Sequence, residues 1–142
     1  MTTQRQPNSP NSHTRPVDPR APTAEEIELV KLLLPDGAFP DVEVYRRQAD
    51  HLKVTGKCSC GCPTVDFTVD TTRATQATFH GNPLLPVEAE AGEGENFVQL
   101  ILFARDGWLE SLELVYYSER PPRNFPSPSD LRLVTRPPRA QT

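Results

Sequence analysis

Residues 97–118 read FVQLILFARDGWLESLELVYYS, and this stretch decides the fold. Its first half is apolar except for Gln99, which predicts a central strand that is buried on both faces. Asp106 and Gly107 form a dipeptide typical of a two-residue hairpin turn between two strands. The second half, from Trp108, again alternates apolar and polar residues. The stretch therefore predicts two antiparallel strands in the middle of a sheet.

Weaker strand patterns precede this hairpin. Residues 65–69 alternate Val, Phe and Val with polar residues, which predicts a strand with one buried face. Residues 73–80 are less apolar, and we interpret them as an edge strand that ends at 81–83. The acidic, glycine-bearing residues 87–95 fit either a loop or a frayed edge strand.

Two helices are predicted before the strands. Thr23 and Glu26 have the spacing of a capping box, and apolar residues then repeat at helical intervals up to a stop at Gly37. A second helix is expected to begin at Asp41 and to run to about Leu52. The sequence thus predicts an α+β fold, with two N-terminal helices packed on one face of a four- to five-stranded, mostly antiparallel sheet.

Composition divides the chain into three parts. Residues 1–22 and the Pro/Arg-rich residues 121–142 have too few apolar side chains to offset the entropy of ordering them. We therefore expect a disordered tail at 1–22 and an extended or disordered tail at 121–142. A single domain is expected at 23–120. The tails are basic and the domain is acidic. However, the tails lack dense Lys/Arg blocks and aromatic residues, so the sequence favours solvated tails over nucleic-acid binding.

The location is predicted from what the sequence lacks. No apolar run approaches the roughly 18 residues of a membrane span, and no secretory signal is visible. The three cysteines all fall within five residues, which is not the pattern of a disulfide framework. We therefore expect a cytoplasmic protein without a membrane partner.

The most informative segment for chemistry is residues 57–63, KCSCGCP. In a straight strand Cys58, Cys60 and Cys62 would be too far apart to bind one zinc ion, but Gly61 and Pro63 make a turn plausible. A fourth ligand is also needed, and His80 is our first candidate, with His51 and Asp66 as alternatives. The sequence thus allows either no cofactor or one zinc ion.

Two other interpretations of the cysteines stay open. Cys58 with Cys60, or Cys60 with Cys62, can form a redox pair, although such a closely spaced disulfide is usually strained. Alternatively, the thiols are small packing residues in a turn that leads into a strand.

Three aromatic residues lie on the strand after the hairpin: Trp108, Tyr116 and Tyr117. Such residues usually pack in a core or across strands. Tyr116 and Tyr117 must nevertheless point to opposite faces, so one of them lies outside a helix-covered core. We interpret the three as a docking surface for an unknown protein partner or for a second copy of the chain.

No nucleophile elbow, phosphate-binding loop, dinucleotide fingerprint or zinc-protease motif occurs in the sequence. Asp66, Asp70 and His80 can be drawn as an acid–base set, but sequence alone does not bring them together. The sequence therefore favours a non-enzymatic protein-interaction module that uses a sheet face or edge. A small zinc-binding or thiol-redox protein is the alternative, and an enzyme of unknown class comes third.

Four segments together resemble a group of small uncharacterised actinobacterial proteins. They are CSCGCPTVDF at 58–67, LFARDG at 102–107, LESLELV at 109–115 and Phe125-Pro126. Members of this group share a CxCGC turn that leads into a strand and a D-G hairpin that leads into a leucine–glutamate strand. The resemblance implies a common fold and brings no activity or catalytic residue with it.

Overall fold

A computed structural model describes residues 14–78 and 84–135 of the 142-residue chain. Its fold is α+β, with two helices and an antiparallel sheet of seven strands in the order β1-β2-β3-β6-β5-β4-β7. The helices are α1 (Ala24–Leu32) and α2 (Val42–Gln48). The strands are β1 (Thr14–Arg20), β2 (Leu52–Cys58), β3 (Val65–Val69), β4 (Leu84–Ala91), β5 (Val98–Arg105), β6 (Trp108–Tyr116) and β7 (Arg132–Thr135). Short 3₁₀ turns lie at Ala49–His51, Gly94–Asn96 and Pro128–Asp130.

The predicted capping box begins α1. The Thr23 hydroxyl accepts a hydrogen bond from the Glu26 N–H at 3.0 Å, and the Glu26 carboxylate accepts one from the Thr23 N–H at 2.9 Å. Arg20 also donates two hydrogen bonds of 3.0 Å to that carboxylate. Burial alone would raise the pKa of Glu26, but these hydrogen bonds and the Arg20 charge outweigh it and lower the pKa. The end of β1 is thereby fixed to the start of α1.

The core lies between the helices and the sheet. Both helices contribute fully buried side chains to one apolar cluster that also includes residues from strands β2 to β6. The largest fully buried apolar members are Tyr45, Leu29, Leu33, Leu34, Leu100, Leu102, Leu109 and Leu112. The coarse α+β prediction is therefore confirmed, whereas the packing of both helices on one sheet face stays a prediction.

A buried glutamine links α2 to the hairpin. The Gln48 side chain is fully buried, and its amide donates to the carbonyls of Thr75 and Gly107 at 2.9 and 2.8 Å. Its carbonyl accepts from the Leu109 N–H at 2.9 Å. Since a buried polar group is costly when left unpaired, these three bonds fix the helix against the start of β6.

The predicted hairpin turn is present between β5 and β6. Asp106 and Gly107 both have positive φ, at 54° and 83°, as a two-residue hairpin turn of this kind requires. A Cβ atom at position 107 would lie 2.2 Å from the carbonyl oxygen of Ala77. Glycine is thus needed here for close approach as well as for backbone conformation.

Four sequence predictions about the sheet were wrong. The sheet has seven strands instead of four to five. Thr14–Arg20, assigned to a disordered N-terminal tail, form one edge strand. Arg132–Thr135, in the C-terminal segment predicted as extended or disordered, form the other edge strand. Both edge strands lie outside the predicted domain limits 23–120.

The remaining two corrections concern the middle of the chain. Residues 73–78, predicted as an edge strand, form no strand, and 79–80 lie outside the described residues. The acidic segment 87–95, predicted as a loop or frayed edge strand, overlaps the second half of β4, which pairs with β5 on one side and with β7 on the other. No helix in the described ranges is long and apolar enough to cross a membrane.

Candidate metal centre

The cysteines lie in the tight connection between β2 and β3. Cys58 ends β2, and its N–H donates to the carbonyl of Thr64 at 3.2 Å, which closes the turn. Gly61 has a φ of +97°, a conformation that residues with a Cβ rarely adopt, and its N–H donates to the Cys58 carbonyl at 3.4 Å. This backbone reversal removes the separation that a straight strand would impose on the three thiols.

The three Sγ atoms converge as a result. Those of Cys58, Cys60 and Cys62 all lie within 4.8 Å of one another. Those of Cys58 and Cys60 lie 3.0 Å apart, and all three thiols are free. Cys62 is buried and Cys60 is exposed, so the cluster extends from the protein interior to the surface. The three cysteine ligands predicted from the sequence are therefore brought together.

Burial and hydrogen bonding together make the Cys60 thiol easier to ionise and the Cys58 thiol harder to ionise. Burial opposes ionisation of Cys60, but bonds from Cys58, Tyr116 and the Cys62 backbone outweigh it and lower the pKa of Cys60 to about 7. Burial and the hydrogen bond to Cys60 raise the pKa of Cys58 to about 12. Near neutral pH the pair thus shares one proton, with the negative charge on Cys60.

The turn is anchored to β6. The strand β3 is short, and it pairs with β6 only at Val65 and Asp66. Beyond these pairs the Thr64 side chain, instead of a strand backbone, bonds to β6: its buried Oγ1 accepts from the Leu114 N–H at 2.9 Å. The Cys62 thiol donates to the same oxygen at 3.4 Å. Part of β6 therefore faces the cysteine turn instead of a neighbouring strand.

A cavity of about 400 Å³ opens beside the thiols. Its walls come from the cysteine turn, the start of β1 and the end of β6, and its lining residues are Thr14, Cys58, Ser59, Cys60, Cys62, Thr64, Glu113, Leu114, Val115 and Tyr116. Tyr116 donates its hydroxyl to Cys60, and this bond is the main reason why the pKa of Tyr116 is raised to about 12. A metal ion on the thiolates would thus face a space large enough for a small ligand.

The predicted fourth ligands do not join the cluster within the described residues. His80 lies outside those residues. His51 precedes β2 at the end opposite to Cys58, and seven strand residues span about 20 Å. The group of potential ligand atoms contains the three cysteines and does not include Asp66.

Asp66 instead belongs to an acidic pair. Burial raises the pKa of Asp66, and burial together with Asp66 raises the pKa of Glu113 to about 7. Glu113 also lines the cavity beside the thiols. The acid–base set of Asp66 and Asp70 with His80 stays a prediction, because His80 lies outside the described residues.

The three aromatic residues predicted as a docking surface do not lie together. Trp108 begins β6 and packs half-buried against the core, whereas Tyr116 ends the same strand. Tyr117 is 60% exposed, stacks on Phe97 with a centroid distance of 6.0 Å and donates to Gln99 at 2.7 Å. The strand separates Trp108 from the tyrosines by about 26 Å.

Sequence reasoning missed two functional neighbours of the cysteines. Thr64 anchors the turn, and Glu113 lines the cavity. Tyr116 had been assigned to a docking surface, but its hydroxyl contacts Cys60. The D-G hairpin fixes which residues of β6 share a face, but no local pattern places β6 beside the turn.

Comparison of the chain with protein-family models, with curated proteins and with solved structures found no match. The likeness to small actinobacterial proteins therefore stays an expectation from the sequence.

Proposed function

We propose that this protein binds one soft metal ion, with zinc as the first candidate, through Cys58, Cys60 and Cys62. The observation that carries the proposal is the convergence of three free Sγ atoms within 4.8 Å of one another in one anchored turn. Thiolates are the ligands that favour zinc and copper(I) over magnesium and calcium.

The spacing of the sulfurs is close to that of a metal site. Four ligands at 2.3 Å in a tetrahedron place neighbouring sulfurs about 3.8 Å apart. The Sγ atoms of Cys58 and Cys60 lie at 3.0 Å and would have to separate by about 0.8 Å, whereas the widest pair, at most 4.8 Å, would have to close by about 1 Å. Small rotations of the cysteine side chains supply movements of this size.

The proton balance also suits metal binding. A metal ligand must be a thiolate, and the Cys60 thiol ionises near neutral pH because its pKa is about 7. The metal would then displace the proton from Cys58, whose pKa is raised to about 12. We therefore expect affinity to rise with pH, and binding to release protons.

The cavity of about 400 Å³ beside the thiols would leave room for a fourth ligand on a metal ion held by the three cysteines. Three protein ligands with an open fourth position are typical of sites that exchange a bound ligand, whereas structural zinc sites are closed by four protein ligands. Among the described residues, the cluster supplies three ligands. This arrangement supports metal exchange or a metal-bound small ligand, provided that His80 does not close the site.

The test is titration of the reduced, metal-free protein with Co²⁺, which reports thiolate ligation by intense sulfur-to-metal charge-transfer absorption. We expect saturation at one equivalent, displacement by zinc and loss of the absorption in Cys62→Ser. Ser59→Ala is the matched control, since it alters the same turn without removing a thiol. Failure of the wild-type protein to develop this absorption would refute the proposal.

A thiol-redox function is the second candidate, and the 3.0 Å distance between the Cys58 and Cys60 sulfurs favours it. A peroxide would oxidise the exposed Cys60 thiolate to a sulfenic acid, with its other oxygen leaving as water. The Cys58 thiol would then displace water from the sulfenic acid and form a disulfide. Mass spectrometry distinguishes this outcome by the loss of two hydrogen atoms per chain, which Cys58→Ser should abolish.

A protein-interaction module, with an unknown protein partner or a homodimer, stays a prediction. Within the described residues, the exposed large apolar side chains are Tyr117 and Leu133. Sizing with light scattering measures the homodimer directly. If Tyr117→Ser left a dimer intact, Tyr117 would be excluded from the interface.

A further inference from the structure

Three oxygen-bearing side chains project from one face of the sheet beside the cysteine turn. Asp66 in β3 is the register partner of Ser111 in β6, and paired residues of antiparallel strands share a face. Glu113 lies two residues beyond Ser111 in the same strand, so it projects from that face as well. The pairing thus gathers two carboxyl groups and one hydroxyl.

Two oxygen atoms in this group lack a partner. Ser111 is fully buried, and neither its Oγ nor the buried Oδ1 of Asp66 has a hydrogen-bond partner in the structure. The other oxygen of Asp66 accepts from the Thr14 hydroxyl at 2.6 Å. Because buried polar atoms in proteins are nearly always satisfied, each of these two atoms requires an explanation.

The charges of the two carboxyl groups are also uncompensated. Neither Asp66 nor Glu113 takes part in the salt bridges formed by the described residues. The nearby Glu110 is already paired with Arg105 at 2.9 Å, and its charge contributes to the raised pKa of Asp66. This face of the sheet therefore carries acidic side chains and unpartnered oxygen atoms, and no basic side chain among the described residues forms a salt bridge with Asp66 or Glu113.

A glycine provides the space that the Asp66 carboxyl group occupies. Gly56 in β2 is the register partner of Asp66 on the side away from β6. A Cβ atom at position 56 would lie 2.8 Å from Asp66 Oδ2 and 3.1 Å from its Cβ. Any side chain here would displace the carboxyl group from its position beside Ser111.

We propose that Asp66, Ser111 and Glu113 bind one hard divalent cation, such as Mn²⁺, Mg²⁺ or Ca²⁺. Carboxylate and neutral oxygen ligands suit these ions, and water molecules complete their coordination shell. The unpartnered Ser111 hydroxyl, fully buried and on the same sheet face as the acidic pair, is the observation that distinguishes this group from an ordinary acidic surface. The site differs in chemistry from the thiolates and does not depend on metal binding by the cysteines.

The test uses the full chain with its cysteines saturated by one equivalent of zinc. Mn²⁺ is then titrated and followed by the loss of its free-ion electron paramagnetic resonance signal. We expect one further Mn²⁺ ion per chain, bound at least tenfold more weakly in Asp66→Asn and Glu113→Gln. Glu90→Gln is the matched control, because Glu90 lies in a strand of the same sheet and is not part of the group.

Two further outcomes bear on the proposal. A variant in which Cys58, Cys60 and Cys62 are all replaced by serine should retain the Mn²⁺ site. Its Mn²⁺ binding tests this proposal independently of whether the cysteines bind zinc. Mn²⁺ should also raise the melting temperature of wild-type protein, and Mg²⁺ or Ca²⁺ should compete. Absence of bound Mn²⁺, or equal weakening by Glu90→Gln, would overturn the proposal.

Discussion

Replacement of Glu113 by glutamine should remove a pH dependence from the stability of the cation-free protein. Burial and the neighbouring Asp66 raise the pKa of Glu113 from an ordinary value of 4.5 to about 7. An acid with a raised pKa in the folded state takes up a proton on folding between these two values. Its ionisation therefore destabilises the fold progressively as the pH rises from about 4.5 to about 7.

The size of the effect follows from the two pKa values. A difference of about 2.5 corresponds to about 3.4 kcal/mol of unfolding free energy if it applies in full. The carboxyl group is only partly buried, so solvent screening reduces this to about 2 kcal/mol. Because glutamine does not ionise, the stability of Glu113→Gln relative to wild type should increase by about 2 kcal/mol between pH 5 and pH 8.

The assay is urea denaturation at a series of pH values in the presence of a chelator, followed by the fluorescence of Trp108. Trp108 is the single tryptophan and packs half-buried against the core, so it reports global unfolding. Titration of groups remote from Glu113 is common to both proteins and cancels in the difference, so the change that is measured belongs to Glu113 and its coupled neighbour Asp66. Glu90→Gln serves as the control. Parallel stability curves for wild type and Glu113→Gln would refute the reasoning.

Three further substitutions test the fold. Gln48→Ala should lower the unfolding free energy by about 2–4 kcal/mol in denaturant titrations, because it leaves the buried Leu109 N–H without its partner and removes the side-chain bonds to the Thr75 and Gly107 carbonyls; a loss below 1 kcal/mol would contradict this role. Gly107→Ala should cost at least about 2 kcal/mol and lower the melting temperature, since its Cβ would meet the Ala77 carbonyl at 2.2 Å. Arg20→Gln should lower the unfolding free energy by about 1 kcal/mol at pH 7. The loss should be much smaller below the lowered pKa of Glu26, because that carboxyl group is then protonated. An equal loss of unfolding free energy in strong acid would exclude the ion pair as its cause.

Elements with strong local signals were predictable from the sequence. The capping box at Thr23 and Glu26 and the turn at Asp106 and Gly107 both form as expected. Each depends on residues within a few positions of one another, so local chemistry is sufficient. The strand at 65–69 was predictable for the same reason, because its alternating pattern matches one buried face.

The edge strands were not predictable by the same rules. Thr14–Arg20 contains Pro16 and Pro19 and is largely exposed, so it lacks the apolar alternation that marks a half-buried strand. Proline is tolerated at a sheet edge, where one side of the strand makes no ladder bonds. This segment is held in the sheet by backbone pairing with β2. Composition predicts side-chain burial and therefore does not detect backbone pairing of this kind.

The candidate site was predictable only in part. The clustering of Cys58, Cys60 and Cys62 follows from their spacing and from the turn at Gly61. The contribution of Glu113 and Tyr116 does not, because it requires β3 to begin only at Val65 and β6 to continue past that point beside the turn. That arrangement is set by the register of strands that are more than 40 residues apart in the sequence.

The most direct test of the central claim is the metal content of freshly purified, reduced protein, measured by inductively coupled plasma mass spectrometry beside the triple Cys→Ser variant. The account predicts about one zinc or other soft metal ion per wild-type chain and none in the variant, as expected for thiolate ligands. Equal metal content in the two proteins would contradict it, as would a metal-free wild type that also fails to take up added zinc.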